Sequence, residues 1–429
     1  MAEPLGRLLT DLGERTDYDA VSQCSRCGYC EAACPTYVAT GREAFSPRGR
    51  NQLLRLTLEG KLEDPSAAEE ALSTCLLCGA CTTACYAKVA VPDLVLEGRR
   101  GLRRDTHWLV RRVSRLLIED PRALARLLKL GFLLKRLGLS RLGRPVLRAL
   151  GLGPLAAMDE HSDEAPLRLL DDELPALRAA GEGDAWGYFA PCGPRYLLPR
   201  VGRATWRALT ELKGRGRFLE NSCCGLLAHN YGRLADAREF ARRNIVRYEE
   251  LKEKFGSFRV VADCSSCAAF MKSYEQLFTA DPDWRPRAKA FAEAVSDVLE
   301  FIPPDKAGEP ASGASAGPVT YHDSCRACHG QGIRRQPREV LRKLAGKSYR
   351  ELPESDWCCG GAGAFAFTQP ELSARVLDRK LRNIASVQAA TVVVGAASCL
   401  AQIGAGLRKC YPSARAVHYS VFLDEASNK

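Results

Sequence analysis

Short apolar runs alternate with long amphipathic stretches through the second half of the chain. Trp186-Gly187-Tyr188-Phe189-Ala190, Phe258-Arg259-Val260-Val261-Ala262, Val319-Thr320-Tyr321 and Thr391-Val392-Val393-Val394-Gly395 are too short for helices and predict buried strands. Between them, Leu234 to Phe255 and Glu371 to Val387 place apolar residues at helical spacing, the second directly after Pro370, a helix-start residue. Strands alternating with helices predict a parallel sheet. Nearer the N-terminus, Arg50-Asn51-Gln52-Leu53-Leu54-Arg55-Leu56 reads as helix. Residues 107–150 repeat Leu and Val at helical spacing: Leu109, Val113, Leu116, Leu117, then Leu124, Leu127, Leu128, Leu130, Leu133, Leu134 and Leu137. Breaks expected at Pro121, Gly131, Gly138 and Pro145 make these short helices.

Each predicted strand runs straight into a cysteine motif. In a parallel sheet those cysteines lie at the carboxyl edge, where open α/β folds place ligands. The motifs also repeat. Cys192 matches Cys325 at an offset of 133, while Cys223-Cys224-Gly225 matches Cys358-Cys359-Gly360 and Cys264 matches Cys399, both at 135. Two copies of one α/β unit are expected. The predicted organisation is an α-helical ferredoxin module at 1–98, a basic helical connector at 99–180, a first cysteine-rich unit at 181–300, a flexible linker at 301–318 and a second unit at 319–429.

Two runs in the first region carry the clearest chemistry. One is Cys24-x2-Cys27-x2-Cys30-x3-Cys34-Pro35; the other is Cys75-x2-Cys78-x2-Cys81-x3-Cys85, with Tyr86 in place of the proline. In a two-cluster ferredoxin arrangement, three thiolates of one tight turn face one [4Fe–4S] cluster and the fourth serves the other. The expected sets are Cys24, Cys27, Cys30 and Cys85, and Cys75, Cys78, Cys81 and Cys34. Zinc sites or core cysteines are the alternatives, but zinc needs only four ligands and does not call for the x3-Cys extension twice.

The paired motifs are less ordinary. The first copy offers Cys192, Cys223, Cys224, Cys264 and Cys267; the second offers Cys325, Cys358, Cys359 and Cys399. Neighbouring cysteines point apart in extended backbone, so a turn is needed, and the following glycine permits positive φ. Five thiolates exceed the needs of one zinc and suit an iron–sulfur cluster. The second copy has Gln402 where the first has Cys267. Cys328, His322 and His329 are nearby donors, and a vacant position, a zinc site or a vestigial site are the readings open there. The remaining histidines, His107, His161, His229 and His418, read as structural or surface residues.

Composition narrows the function. The 429 residues include 19 cysteines, too patterned for core thiols, in a chain too long for a secreted disulfide scaffold. Neither a leader nor a membrane-spanning run is evident, so a cytoplasmic location is expected. The net charge of +11 is local. Residues 99–150 hold 15 Lys/Arg against 3 Asp/Glu, and the rest is nearly balanced. That excludes a broadly basic nucleic-acid binder and leaves one basic surface. It suits either peripheral contact with an anionic membrane near a quinone, or helices packed on a neighbour. No Gly-x-Gly-x-x-Gly follows a strand and no phosphate-binding lysine loop occurs, so hydride chemistry needs a partner with flavin.

These residues resemble a known family: cysteine-rich (CCG-domain) iron–sulfur proteins with an N-terminal two-cluster ferredoxin module. They include the iron–sulfur subunits of glycolate oxidase and of lactate utilisation, and the CCG-domain component of heterodisulfide reductase. The resemblance covers 20–98 and 186–429 and includes Ser46-Pro47-Arg48-Gly49-Arg50, His322-Asp323-Ser324-Cys325, Gln336-Pro337-Arg338-Glu339-Val340-Leu341, Cys358-Cys359-Gly360-Gly361 and Arg382-Asn383-Ile384. A lone cysteine at the Cys399 position is similar to the glycolate oxidase proteins, whereas Cys264-Ser265-Ser266-Cys267 looks like the other relatives. The resemblance implies an electron-transfer subunit serving an FAD-dependent 2-hydroxyacid dehydrogenase. The alternative is a catalytic subunit of the heterodisulfide reductase type, reducing a disulfide at the first copy.

Overall fold

The computed structural model describes residues 7–102, 108–162, 164–179, 182–306 and 317–427. His107 and linker residues 307–316 lie outside the described residues. The N-terminal module is helical, as its periodicity predicts. Ser46 and Asp64 cap the helices Pro47–Leu58 and Pro65–Ser73, each with proline in the first position, by accepting from the backbone N–H of Gly49 and Ser66. The buried Ala68, Ala71 and Leu72 line one face of the second helix. Helix Val91–Leu102 crosses so closely that a Cβ on Gly98 would stand 2.3 Å from Leu54 and 2.6 Å from Leu72.

The first strands of the chain are ones the apolar pattern does not announce. β1 (Arg7–Thr10) and β2 (Gly13–Thr16) form an antiparallel hairpin. Its anchor is distant in sequence: Gln276 accepts from the Leu9 N–H at 2.7 Å, which ties the hairpin to the first α/β unit.

All four expected strands form, joined by three that the apolar pattern does not announce. The first unit contains β3 (Gly187–Phe189), β4 (Arg217–Phe218), β5 (Val260–Ala262) and β6 (Val295–Asp297), all parallel, in the order β4-β3-β5-β6. The second contains β7 (Val319–His322), β8 (Thr391–Val394) and β9 (Arg415–His418), parallel and in that order. A single parallel bridge between Val319 and Tyr349 occupies the place that β4 has in the first sheet. The two missed strands of the first unit are only two and three residues long, too short to show a period. Helix Leu234–Phe255 has the predicted bounds, and Pro370 opens helix Pro370–Ser386.

The two units share one continuous core, running from Trp186 and Tyr188 through Val261 and Leu299 to Val393 and Tyr419. Polar contacts bind the same seam. Gly395 accepts both the backbone N–H and the hydroxyl of Ser265 at 2.9 Å, and Gln331 donates to Asp297 at 2.9 Å. Arg207 pairs with Asp424 of the C-terminal helix.

The connector forms helices Trp108–Glu119, Pro121–Arg136, Leu139–Ala149, Gly153–His161 and Leu170–Ala179. Pro121 starts a helix and Gly138 precedes one, as expected. Gly131 and Pro145 break nothing: both lie inside helices. Gly131 costs a helix only about 1 kcal/mol, which the surrounding leucines outweigh. Leu117, Leu124 and Phe132 enter the core of the α/β units, so the first two helices pack there rather than on the ferredoxin module. Other apolar residues of these helices face solvent. Leu127, Leu130, Leu137, Leu142 and Leu150 are exposed, with Leu142 at 76%.

Two glycines test this packing in opposite senses. Gly360 has φ 82°, and a Cβ there would lie 2.7 Å from the Ser373 carbonyl; a Cβ on Gly143 would meet nothing within 4 Å. Thermal unfolding should therefore show Gly360→Ala destabilised by ~1–3 kcal/mol and Gly143→Ala stabilised by up to ~1 kcal/mol. Equal effects of the two would contradict the described packing.

Candidate functional site

The two Cys-x2-Cys turns of the N-terminal module have one backbone shape. Arg26 and Leu77, just before the second cysteines, have φ of 61° and 54°, and the glycines just after, Gly28 and Gly79, have 82° and 83°. Such successive turns make concavities lined by N–H groups, suited to negative charge. The Leu77 N–H lies 3.5 Å from the Cys75 sulfur. Cys34, Cys75, Cys78 and Cys81 line one small cavity together with Pro35, Thr36 and Arg50. Cys30 faces Cys24 and Cys85. Cys34 thus stands with Cys75, Cys78 and Cys81, and Cys85 stands with Cys24 and Cys30.

Arg50 is the residue here whose role the sequence conceals. It is buried, and it donates to the Ala71 carbonyl at 2.8 Å, the Thr36 and Thr74 hydroxyls at 3.0 and 3.1 Å, and the Cys34 sulfur at 3.8 Å. Its signal was the stretch Ser46 to Arg50, in which the cap and the guanidinium are one device. Among the described residues it forms no ion pair, and one of its nitrogens faces the Cys34 sulfur.

In the first α/β unit the five predicted cysteines form one contiguous group. Cys224 meets Cys267 at 3.3 Å, Cys192 and Cys224 adjoin Cys223 on either side, and Cys264 adjoins Cys267. Gly225 is left-handed at φ 88°, and its N–H lies 3.5 Å from the Cys223 sulfur. The second unit repeats the arrangement with four free thiols: Cys358 adjoins Cys325 and Cys359, and Cys399 adjoins Cys359. Gly360 plays the part of Gly225, with its N–H 3.5 Å from Cys358. Cys328 is buried but aims its thiol at the Cys325 carbonyl, 3.7 Å away, and Cys410 is exposed outside any motif.

The electrostatics explain why such groups need a cation. Burial pushes the Cys30 thiol up to about 11 and drives Cys78 and Cys81 well above the usual range. Cys192 and Cys325 are raised first by bonding Cys223 and Cys358 and then by burial. Cys224 moves the other way, lowered by its contacts with the Cys223 and Cys267 sulfurs. In the second unit Lys380 is buried, donates to the Glu354 and Ser355 carbonyls at 2.6 and 3.0 Å, and is pushed down to about 8 by burial. Sulfur packed on sulfur holds its protons until a metal displaces them. The donor set and the shared cavity fit iron–sulfur clusters.

The four sulfur groups neighbour one another in succession. Cys81 lies within electrostatic reach of Cys30, and Cys78 within reach of Cys325 and Cys358. Leu76, Cys78, Cys358 and Phe365 belong to one apolar cluster, and His329 meets Thr83 at 3.0 Å across the same junction. From the second unit the Ala397 N–H, two residues from Cys399, reaches the Cys264 sulfur of the first. At the far end, a cavity of about 560 Å³ has walls from Cys192, Cys223, Arg195 and Asn221.

The described histidines read as structural are engaged. His161 meets Gln402 at 3.0 Å, His229 meets Arg100 at 3.1 Å, and His418 accepts from the Ser420 N–H at 3.2 Å. Among the described residues no helix is long and apolar enough to cross a membrane.

Comparison with known proteins agrees with this geometry. The cysteine-rich domain (CCG) family matches residues 186–272 and 319–404, and the 4Fe-4S dicluster domain family matches 20–89. The chain is 28% identical to the "Probable glycolate oxidase iron-sulfur subunit" of Bacillus subtilis, over 98% of this chain and 97% of the relative. It is 27% identical to the "Glycolate oxidase iron-sulfur subunit" of Escherichia coli, over 88% of each. It is 30% identical to "Lactate utilization protein A" of an Exiguobacterium species, over 55% of this chain and 96% of the relative. The match to the dicluster domain supports iron–sulfur clusters in the N-terminal module. The chain belongs to the cysteine-rich CCG-domain iron–sulfur proteins, in the form that carries a 4Fe-4S dicluster domain ahead of two CCG domains.

Proposed function

We propose that this chain is the iron–sulfur electron-transfer subunit of a flavin-dependent 2-hydroxyacid oxidase or dehydrogenase complex of the glycolate or lactate type. The observation that carries the reading is that the sulfur groups neighbour one another: Cys30 lies near Cys81, Cys78 near Cys325, and Cys264 near the backbone that leads to Cys399. The relatives named as glycolate oxidase subunits support the substrate class. Iron–sulfur clusters bound at these thiols supply one-electron chemistry, and the thiolates and the bonds to sulfur tune it. In this reading Cys24, Cys27, Cys30 and Cys85 hold the cluster nearest a partner's FAD, and Cys34, Cys75, Cys78 and Cys81 hold the inner one. The two CCG sites hold further iron–sulfur clusters or zinc: one at Cys192, Cys223, Cys224, Cys264 and Cys267, the other at Cys325, Cys358, Cys359 and Cys399. We read the five-part division at 98, 180, 300 and 318 as the domain organisation, and the two α/β units as products of internal duplication; the matching strand orders support both.

The acceptor is quinone-linked in this proposal, and the chain sits on the inner face of the membrane from the cytoplasmic side. The exposed stripes Leu127, Leu130, Leu134, Leu137 and Leu139, Leu142, Val146 support that placement, since exposed arginines such as Arg122, Arg126 and Arg141 flank them. An apolar face rimmed by cations complements an anionic lipid surface.

A second reading, disulfide reduction at the first unit, is favoured by the cavity at Cys192 and Cys223. One preparation separates the two. Purified anaerobically, the chain should carry iron and labile sulfide, co-purify with an FAD protein and take electrons from its substrate-reduced flavin. Intact clusters, no flavoprotein, and disulfide cleavage by the chemically reduced chain that Cys224→Ser abolishes would favour the second reading.

The ligand sets make a sharper expectation. Cys34→Ala should damage the cluster of the second run and leave that of the first, and Cys85→Ala should do the reverse, as read by EPR of the reduced protein. Damage confined to the substituted run would refute the interleaved sets. For the membrane, the triple variant Leu130→Gln, Leu134→Gln, Leu142→Gln should co-sediment with phosphatidylglycerol vesicles at least roughly tenfold less than the parent chain. Equal binding would remove the leucine face from the proposal.

A further inference from the structure

The two α/β units differ by a reciprocal exchange of residues. In the first, β3 ends on Phe189, and Cys267 contacts both Cys224 and Cys264. In the second, β7 ends on His322, and Gln402 stands at the place of Cys267. Gln402 cannot serve as the missing ligand in this arrangement, because both ends of its amide are engaged: one meets His161 at 3.0 Å and the other donates to Ser373 at 2.9 Å.

His322 is in the opposite condition. It is fully buried, and neither ring nitrogen has a hydrogen-bond partner. One of its nitrogens and the Cys359 and Cys399 sulfurs all lie within 4.8 Å of one another. Cys359 and Cys399 are the counterparts of Cys224 and Cys264, the two thiols that Cys267 touches. A buried imidazole without a partner is costly unless something takes its lone pair. The other donors nearby stand outside that group. Cys328 points to the Cys325 carbonyl, and His329 meets Thr83 in the N-terminal module.

We propose that His322 is a nitrogen ligand of the metal centre in the second unit and stands in for the absent fifth cysteine. The centre would then be held by His322 with Cys359 and Cys399; Cys325 and Cys358 would complete a cluster, whereas a zinc would need only one of them. This rests on the reading that the second unit binds a metal. Imidazole with thiolate suits both zinc and the iron of a cluster, so the shared chemistry is a borderline, thiophilic metal. If the metal is iron, a neutral imidazole in place of a thiolate raises the reduction potential. The second-unit centre would accept an electron more readily than a five-thiolate centre in the first.

The test uses the full chain, purified anaerobically with 15N-labelled histidine. Metal is assigned by X-ray absorption at the iron and zinc edges. Nitrogen ligation is read from 15N hyperfine coupling if the centre is iron, or from a nitrogen shell near ~2.0 Å beside sulfur near ~2.3 Å if it is zinc. His322→Phe installs the residue that the first unit folds with at this position. It should abolish the nitrogen signal and speed release of that metal to a chelator by at least roughly tenfold, with the N-terminal clusters unchanged. His322→Cys should restore retention with sulfur in place of nitrogen. A nitrogen signal that survives His322→Phe, or unchanged metal release, overturns the assignment of His322 alone. Absence of any metal in the second unit overturns the underlying reading as well.

Discussion

Sulfur buried against sulfur is the constraint around which this chain is arranged. A dry interior opposes charge on a lone thiolate, and a neighbouring thiolate opposes it further. The fold nevertheless collects its thiols into four groups, each at a place where backbone N–H groups converge. Left-handed turns at Arg26, Leu77, Gly225 and Gly360 bring those donors in. Arg50 and Lys380 add fixed positive charge beside Cys34 and beside Cys358 and Cys359. Each device stabilises a negative sulfur centre. With metal at these groups, as proposed above, metal binding and folding would be coupled.

Much of this was legible in residue order, because both signals involved are strictly local. A Cys-x2-Cys-x2-Cys-x3-Cys run encodes its own turn, and an apolar tetrad such as Thr391 to Val394 encodes a strand that can only be central. What escaped had a tertiary origin. β4 and β6 are held by the neighbours they pair with rather than by any period of their own. The hairpin of β1 and β2 depends on Gln276, far along the chain. Pro145 lies within a helix where residue order suggests a break. For the candidate site, the cysteines were visible and their neighbours were not. Nothing in the spacing distinguishes His322, which is unpartnered, from His229, which bonds Arg100.

The two α/β units show how one scaffold carries two settings of the same chemistry. Strand order, the glycine after the cysteine pair and the sulfur contacts recur in both. Departures concentrate at β3 and β7 ends and at the helix after the last strand motif, the places nearest the sulfur groups. Elsewhere the units merge into one core, so neither has a complete interior of its own.

That merger bears on motion. Ser265 grips Gly395 through two of its atoms, and each lies within four residues of a thiol in its own unit. Close-packed interiors compress little. The gap between the two buried sulfur groups is thus a rigid dimension, as constant as a bond network can make it, and thermal breathing of surface loops leaves it unaltered. For the electron-transfer role proposed above, such a seam calls for no swing of one α/β unit against the other.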